Sequence, residues 1–283
     1  FQETGLIDRF KDGTTRTEGP ELDRLKLWLR TLTGDAPPLP PLPLQAPTIF
    51  PRFPGLDERP WRDGPIAAAT ALESHFPALQ RECARVERAQ LLHYDANIVG
   101  SGAWSGHPVF FSGERVDALL SPELVMDETA RIVRAIEGQC CDFPLGDVLF
   151  SAHAPGTTLT PHCSWDGFRM RLHLGLKVPS DCGLRVGTES RSWEEGRTLV
   201  FHDSFEHETW NRSHQTRVVL IVDCWHPDLT QPEREALLAL TRKREVRGAL
   251  MSLRVSGALA QQLHEKFAAA EQHDPLIARF WRA

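Results

Sequence analysis

The sequence predicts a mostly β fold with helices at its two ends, and three observations carry that expectation. From about residue 146 to Pro227, short alternating or apolar runs follow one another, broken by glycine, proline and aspartate: DVLFSAH, FRMRLHLGL, GLRVG, TLVFH and RVVLIVDC. Runs of that length and spacing belong to a sandwich or barrel. On either side, apolar residues recur at helical spacing instead. With 283 residues, 41% of them hydrophobic, the chain has material for one sizeable core, which fits a single β-rich domain with helical additions.

In chain order, residues 20–33 (PELDRLKLWLRTLT) predict a short helix whose leucines 22, 25, 27, 29 and 32, with Trp28, pack on the main body. APPLPPLPLQAP, residues 36–47, follows. Its prolines fix φ and remove backbone donors, so it should run extended, as a plain spacer. Residues 65–93 read as helix interrupted at Pro77, and 121–137 as a helix capped by Ser121 with Pro122 at its first position. After the strands, EREALLALTRKREVRGALM and GALAQQLHEKFAAAEQH return to helix. No internal repeat is visible. The resulting division is an N-terminal helix and connector (1–47), a β domain (48–234) and a C-terminal helical extension (235–283).

A net charge of −6 without any lysine/arginine block gives no field for holding phosphate backbones, so nucleic acid is not the expected partner. No apolar run reaches the roughly 18 to 20 residues that span a bilayer, and the start lacks a secretory apolar region. A cytoplasmic protein is expected. The six cysteines (83, 140, 141, 163, 182 and 224) contain no CxxC pair, and their irregular spacing suits reduced thiols, mostly small buried hydrophobes.

The chemistry gathers on two strands. In 169–176 the period of two puts Arg169, Arg171 and His173 on one face and Met170, Leu172, Leu174 and Leu176 on the other. In 217–224, Arg217, Val219, Ile221 and Asp223 oppose Val218, Leu220, Val222 and Cys224. A polar strand face ordinarily meets solvent. Here it sits beside histidines: His162 closes APGTTLTPH, and His207 follows TLVFH within HDSFEHETWN. Neutral imidazoles suit iron(II), and few protein ligands leave positions for an oxidant and a co-substrate. Of the twelve histidines, His75, His93, His107, His214, His226, His264 and His273 are read as structural.

The stretch Ser151–Asp228, with FSAHAPGTTLTPH, RMRLHLGLKVP, CGLRVG, SWEEGRTLVFHDSFEHETWN and RVVLIVDCWHPDLT, resembles the catalytic domain of aspartyl/asparaginyl β-hydroxylases, and FPGLDERPW upstream is similar to that family's approach to its core. The resemblance implies a double-stranded β-helix (a jelly roll, cupin-like) with Fe(II), 2-oxoglutarate and O2 as cofactors. It implies that His162 and His207 hold iron, that Ser151, His173 and Arg217 hold 2-oxoglutarate, and that Arg171 meets a carboxylate of the prime substrate. The planar fork of arginine matches a carboxylate, which suits Arg217 and Arg171 to those tasks. Asp203 matches an acid that orients iron-bound water from outside the ligand set.

Departures from the family pattern cluster at the first ligand. Two residues after His162, where related oxygenases carry an acid and this family usually glycine, stands Ser164; Trp165 and Asp166 follow it. His202 replaces a usual aspartate, and His153 adds a polar group beside Ser151. These five are candidate pocket residues. The expectation is therefore an oxygenase acting on a C–H bond of a small or carrier-bound amino-acid-like carboxylic acid, by hydroxylation, desaturation or cyclisation. The alternatives are a hydroxylase of Asp/Asn side chains in a protein, and a non-catalytic cupin-like binding module.

Overall fold

The computed structural model describes residues 19–86, 91–94, 97–241, 246, 249–250 and 253, and these form two antiparallel sheets. The larger sheet runs in the order β1 (Leu92–Tyr94), β3 (Trp104–Phe111), β5 (Val148–His153), β12 (Arg217–Trp225), β7 (Arg169–Lys177) and β10 (Thr198–Phe201), with β4 (Glu114–Arg115) on β3. The smaller runs β2 (Val99–Ser101), β6 (Thr157–His162), β11 (His207–Asn211), β8 (Cys182–Val186) and β9 (Glu189–Arg191). This is the expected double-stranded β-helix. The helices of eight residues or more are α1 (Asp23–Thr33), α2 (Ala67–Ser74), α3 (Phe76–Val86), α4 (Asp127–Arg134) and α5 (Gln231–Thr241).

Strand alternation places the chemistry. Val218, Leu220, Val222 and Cys224 join Met170, Leu172, Leu174 and Leu176 in a core under α2, α3 and α4. Val219 and Ile221, on the other face, pack between the sheets with Leu149, Leu184 and Phe201. The face bearing Arg169, Arg171, His173 and Arg217 therefore looks inward, because helices cover the face that solvent would otherwise take. Register keeps it together: Arg217 lies opposite His153, Val219 opposite Ser151, Ile221 opposite His173 and Asp223 opposite Arg171.

Several sequence expectations need correction. The helix expected over 65–93 breaks at His75, before Pro77, and resumes over Phe76–Val86, while Leu92–Tyr94 is strand; residues 87–90 of the expected helix lie outside the described residues. Around residues 121–137, Pro122–Leu124 forms a 3-10 turn and α4 begins only at Asp127; Val125 is extended between them, and the Ser121 hydroxyl makes no capping bond. Strands β1 to β4 went unread because Gly102, Gly106, Pro108 and Gly113 interrupt their alternation. The second helix expected after Pro227, GALAQQLHEKFAAAEQH, lies outside the described residues.

Both ends of the described region join one further core. Leu25, Trp28 and Leu29 of α1 pack with Phe50, Phe168 and Trp225 and with Leu237 and Leu240 of α5. Leu27 is the exception among the predicted packing leucines, facing solvent. The proline-rich connector is no plain spacer either. The Ser204 carbonyl accepts from Ala46 N, the Leu44 carbonyl from Glu206 N, and the Ser164 carbonyl from Thr48 N, at 2.6–3.2 Å. Gln45 is buried, and its amide donates to Glu58 and Ser204. Residues 44–50 thus tie down the two loops beside His162 and His207.

Candidate active site

His162 ends β6 and His207 begins β11, and the two are direct cross-strand partners with ring centroids 4.2 Å apart. A register shift between His207 and Thr209 sits next to the pair, the kind of irregularity that re-aims side chains at strand ends. Each Nδ1–H donates to a carbonyl two residues earlier, His162 to Thr160 (2.7 Å) and His207 to Phe205 (2.9 Å). That fixes the tautomer and leaves both Nε2 lone pairs for a ligand. Burial holds both imidazoles below their usual range, His207 well below because His162 adds to the effect, so both are neutral. Among the described residues no three His, Cys, Asp or Glu side chains gather as a metal set.

Beside the pair lies a buried ion network. The Arg169 guanidinium, without solvent exposure, bonds Asp166 at 2.6 Å and Asp223 at 2.5 Å, and its third nitrogen donates to Ser164 Oγ at 3.3 Å. Arg171 grips Asp223 with Nε and Nη2 at 2.8 and 2.9 Å, while its Nη1 lies 3.2 Å from Asp203. Against the pull of burial, these carboxylates hold both guanidiniums above the usual arginine range. Asp203 is fully buried and its oxygens have no hydrogen bond, although its backbone carbonyl accepts from Ser164 N at 2.8 Å. The network joins the strand after His162 to the loop before His207.

Arg217 is the opposite case. It is 1% exposed, donates one long bond of 3.3 Å to the Ser151 carbonyl, leaves Nε unbonded, and meets no carboxylate at ion-pair distance among the described residues. Burial pulls its pKa down to about 9. Its guanidinium stacks 4.6 Å from the Trp193 ring, which in turn stacks on His173. The turn carrying Trp193 docks where β7 has Gly175: a Cβ there would meet the Glu194 carbonyl at 2.3 Å. Both ring nitrogens of His173 and Nδ1 of His153 are buried without partners, and Ser151 Oγ accepts from Trp104 Nε1 at 3.0 Å. Burial, then Arg171 and Arg217, keeps His173 well below its ordinary pKa.

A cavity of about 610 Å³ opens onto both histidines and is lined also by Ser164, Trp165, Cys163, Arg171 and Asp147. Of the five residues expected to shape a pocket, Ser164 and Trp165 line it. Asp166 is bound into the ion network. His153 stands beside Arg217, and His202 is buried against His226, ring centroids 4.9 Å apart. All six cysteines are free thiols, and Cys163 is the one not fully buried.

Over residues 70–227 the sequence matches the family described as aspartyl/asparaginyl beta-hydroxylase. The chain belongs to that family. It is 32% identical over 194 residues to the aspartyl/asparaginyl beta-hydroxylase of Mus musculus, covering 66% of this chain and 26% of that protein. It is 44% identical over 95 residues to aspartate beta-hydroxylase domain-containing protein 2 of Rattus norvegicus, 32% of this chain and 28% of that one. The chain thus spans about a quarter of the length of these curated relatives. A Pseudomonas putida prolyl-4-hydroxylase structure aligns with a TM-score of 0.35 at 16% identity, over 54% of this chain and 86% of that one. No helix among the described residues is long and apolar enough to cross a membrane.

The groups this family resemblance implies suit the residues present. Two fixed neutral imidazoles are apt donors for a divalent iron, and an unpaired buried arginine beside unpartnered His173 is apt for a carboxylate. Sequence reasoning missed three contributors. Asp223 was seen on the polar face but not as the clamp of two arginines; its shared parity with Arg217 was the signal. Trp193 gave none, lying in a turn. Asp147 sits just before β5, and its neighbour across the sheet was not deducible from spacing.

Proposed function

We propose that this hydroxylase-family protein is an iron(II)- and 2-oxoglutarate-dependent oxygenase. One observation carries the reading most: among the described residues, Arg217 is fully buried with no carboxylate partner, next to unpartnered His173 and inside the same sandwich as the histidine pair. A buried guanidinium left uncompensated is costly unless a ligand supplies the anion.

In this reading His162 and His207 hold iron through Nε2. Arg217 takes the distal carboxylate of 2-oxoglutarate, with Trp193 stacked behind the guanidinium, while Ser151 and His173 hold further oxygens of the co-substrate. Bound together, iron, 2-oxoglutarate and O2 supply the oxidant for an unactivated C–H bond, with net conversion of C–H to C–OH, succinate and CO2. Asp203, whose oxygens have no hydrogen bond in the fold, orients water at the metal. The sandwich excludes bulk water, and Arg171 with the cavity walls positions a carboxylic acid or amino-acid-like substrate.

Metal analysis and succinate release test the reading. His162→Ala or His207→Ala should lose iron and turnover together, whereas the parent protein should bind iron and release succinate from 2-oxoglutarate. Iron-saturated protein that binds no 2-oxoglutarate would leave a cupin-like binding module as the better account.

A further inference from the structure

Strand β5 brings a further histidine to the inner face. Ser151 and His153 stand two residues apart on it, so both side chains leave the sheet on the same side, and β12 sets Val219 opposite Ser151 and Arg217 opposite His153. On the other flank β3 sets Trp104 opposite His153, the two rings T-shaped with centroids 6.4 Å apart. His153 is buried, and its backbone carbonyl accepts from Asn211 Nδ2 at 2.9 Å, which pins the end of the strand. The ring is held less well: among the described residues its Nδ1 has no hydrogen-bond partner.

A buried ring nitrogen without a partner is costly in the ligand-free protein, for the same reason as the Arg217 guanidinium across the strands. Burial, then Arg217 and His173, hold His153 well below its usual pKa, so it rests as a neutral ring with one N–H to give. No carboxylate among the described residues acts on His153, His173 or Arg217. Ser151 belongs to the same set, because its oxygen accepts from Trp104 Nε1 and its hydroxyl hydrogen is left to be donated. An ionised carboxylate offers about four acceptor positions, and an arginine fork occupies only two of them. A carboxylate gripped by Arg217 therefore has room for a second donor, and β5 presents one beside it.

We propose that His153 is a further binding residue for 2-oxoglutarate, its free ring nitrogen donating to the distal carboxylate that the Arg217 fork holds. The inference rests on the oxygenase reading and adds a contact to its co-substrate site. His153 is one of the departures from the family pattern, so the contact is a property of this chain. The competing role is that of filler, an imidazole packed against Trp104 that touches no ligand.

Calorimetric titration of the anaerobic iron(II) protein separates the two without turnover. His153→Leu should weaken 2-oxoglutarate at least about tenfold, the loss expected for one hydrogen bond to a charged acceptor. His153→Gln, which restores an N–H donor, should recover most of that affinity. Oxalate, which chelates a metal through two oxygens but has no distal acid, should bind the parent and both variants equally, with iron content unchanged. Without co-substrate, His153→Leu should melt no lower than the parent, because an unpartnered polar group has given way to an apolar one. Unchanged 2-oxoglutarate affinity in His153→Leu overturns the proposal, as does an equal loss in His153→Gln or a parallel loss of oxalate. A clear fall in melting temperature also counts against it, since the ring would then be satisfied already. If the parent binds iron but no 2-oxoglutarate, the oxygenase reading itself fails.

Discussion

Two sets of arginines, Arg169 with the partly exposed Arg171 and the buried Arg217, share one inner sheet face and behave in opposite ways. Arg169 and Arg171 are saturated by Asp166, Asp223 and Asp203, while Arg217, a few residues along the same sandwich, has one long bond to a carbonyl. The saturated pair is scaffold that fixes the loops at the histidines. In the proposed function the unsaturated one is the receptor, its partner arriving from solution. Sequence type does not separate these roles; the presence of Asp223 opposite Arg171 and of His153 opposite Arg217 does.

The comparison is broken most forcefully at Arg169. Replacing it with methionine leaves Asp166 and Asp223 buried with one counter-ion lost, so stability should fall by about 3 to 5 kcal/mol. For a protein of this size that lowers the melting temperature by roughly 6 to 20 °C, read by calorimetry. Arg171→Ala should destabilise for the same reason, since its fork is part of the network as well as of the cavity wall. A melting temperature unchanged in both would mean the network is not scaffold.

Arg217→Met should do the reverse. Without ligand its stability should equal or exceed the parent's, since a buried charge lacking a counter-ion is removed, whereas affinity for 2-oxoglutarate should fall by about 30-fold or more, equivalent to roughly 2 to 5 kcal/mol. Titration of the anaerobic iron protein reads the second effect and thermal melting the first.

The contrast also has a pH signature. Burial lowers the folded pKa of Arg217 to about 9, below its unfolded value, so between those values the unfolded state binds more protons and ligand-free stability rises with pH. Only the protonated fork pairs with a carboxylate. Affinity for 2-oxoglutarate should therefore be full below pH 9 and decline as pH rises through it, by up to about tenfold per unit. A flat profile from about pH 7 to about pH 10.5 would place the anchor elsewhere.

Two smaller effects sharpen the picture. Trp193→Leu removes the ring against which Arg217 stacks, worth about 0.5 to 2 kcal/mol, so 2-oxoglutarate should bind roughly 2- to 30-fold more weakly with iron content unchanged. Ser164→Ala removes a 3.3 Å bond from Arg169, and should cost about 0.5 to 1.5 kcal/mol of stability while metal analysis still finds iron.

Some of this was written in the sequence and some was not. Alternation in RMRLHLGL and RVVLIVDC determined which side groups share a face, because the period of two is a property of the extended backbone and does not depend on neighbours. The residues flanking the strands likewise marked His162 and His207, and β6 and β11 end or begin on them. Whether the polar face looked outward or inward depended on α2, α3 and α4 covering the other side, a matter of packing. Only the tertiary structure decided that the proline-rich connector locks the loops beside His162 and His207 and that Trp193 stacks on Arg217. It also decided that, among the described residues, Arg169 and Arg171 meet carboxylates while Arg217 does not. Each is a contact between residues distant in sequence, and such contacts leave no periodic trace in the order of the residues.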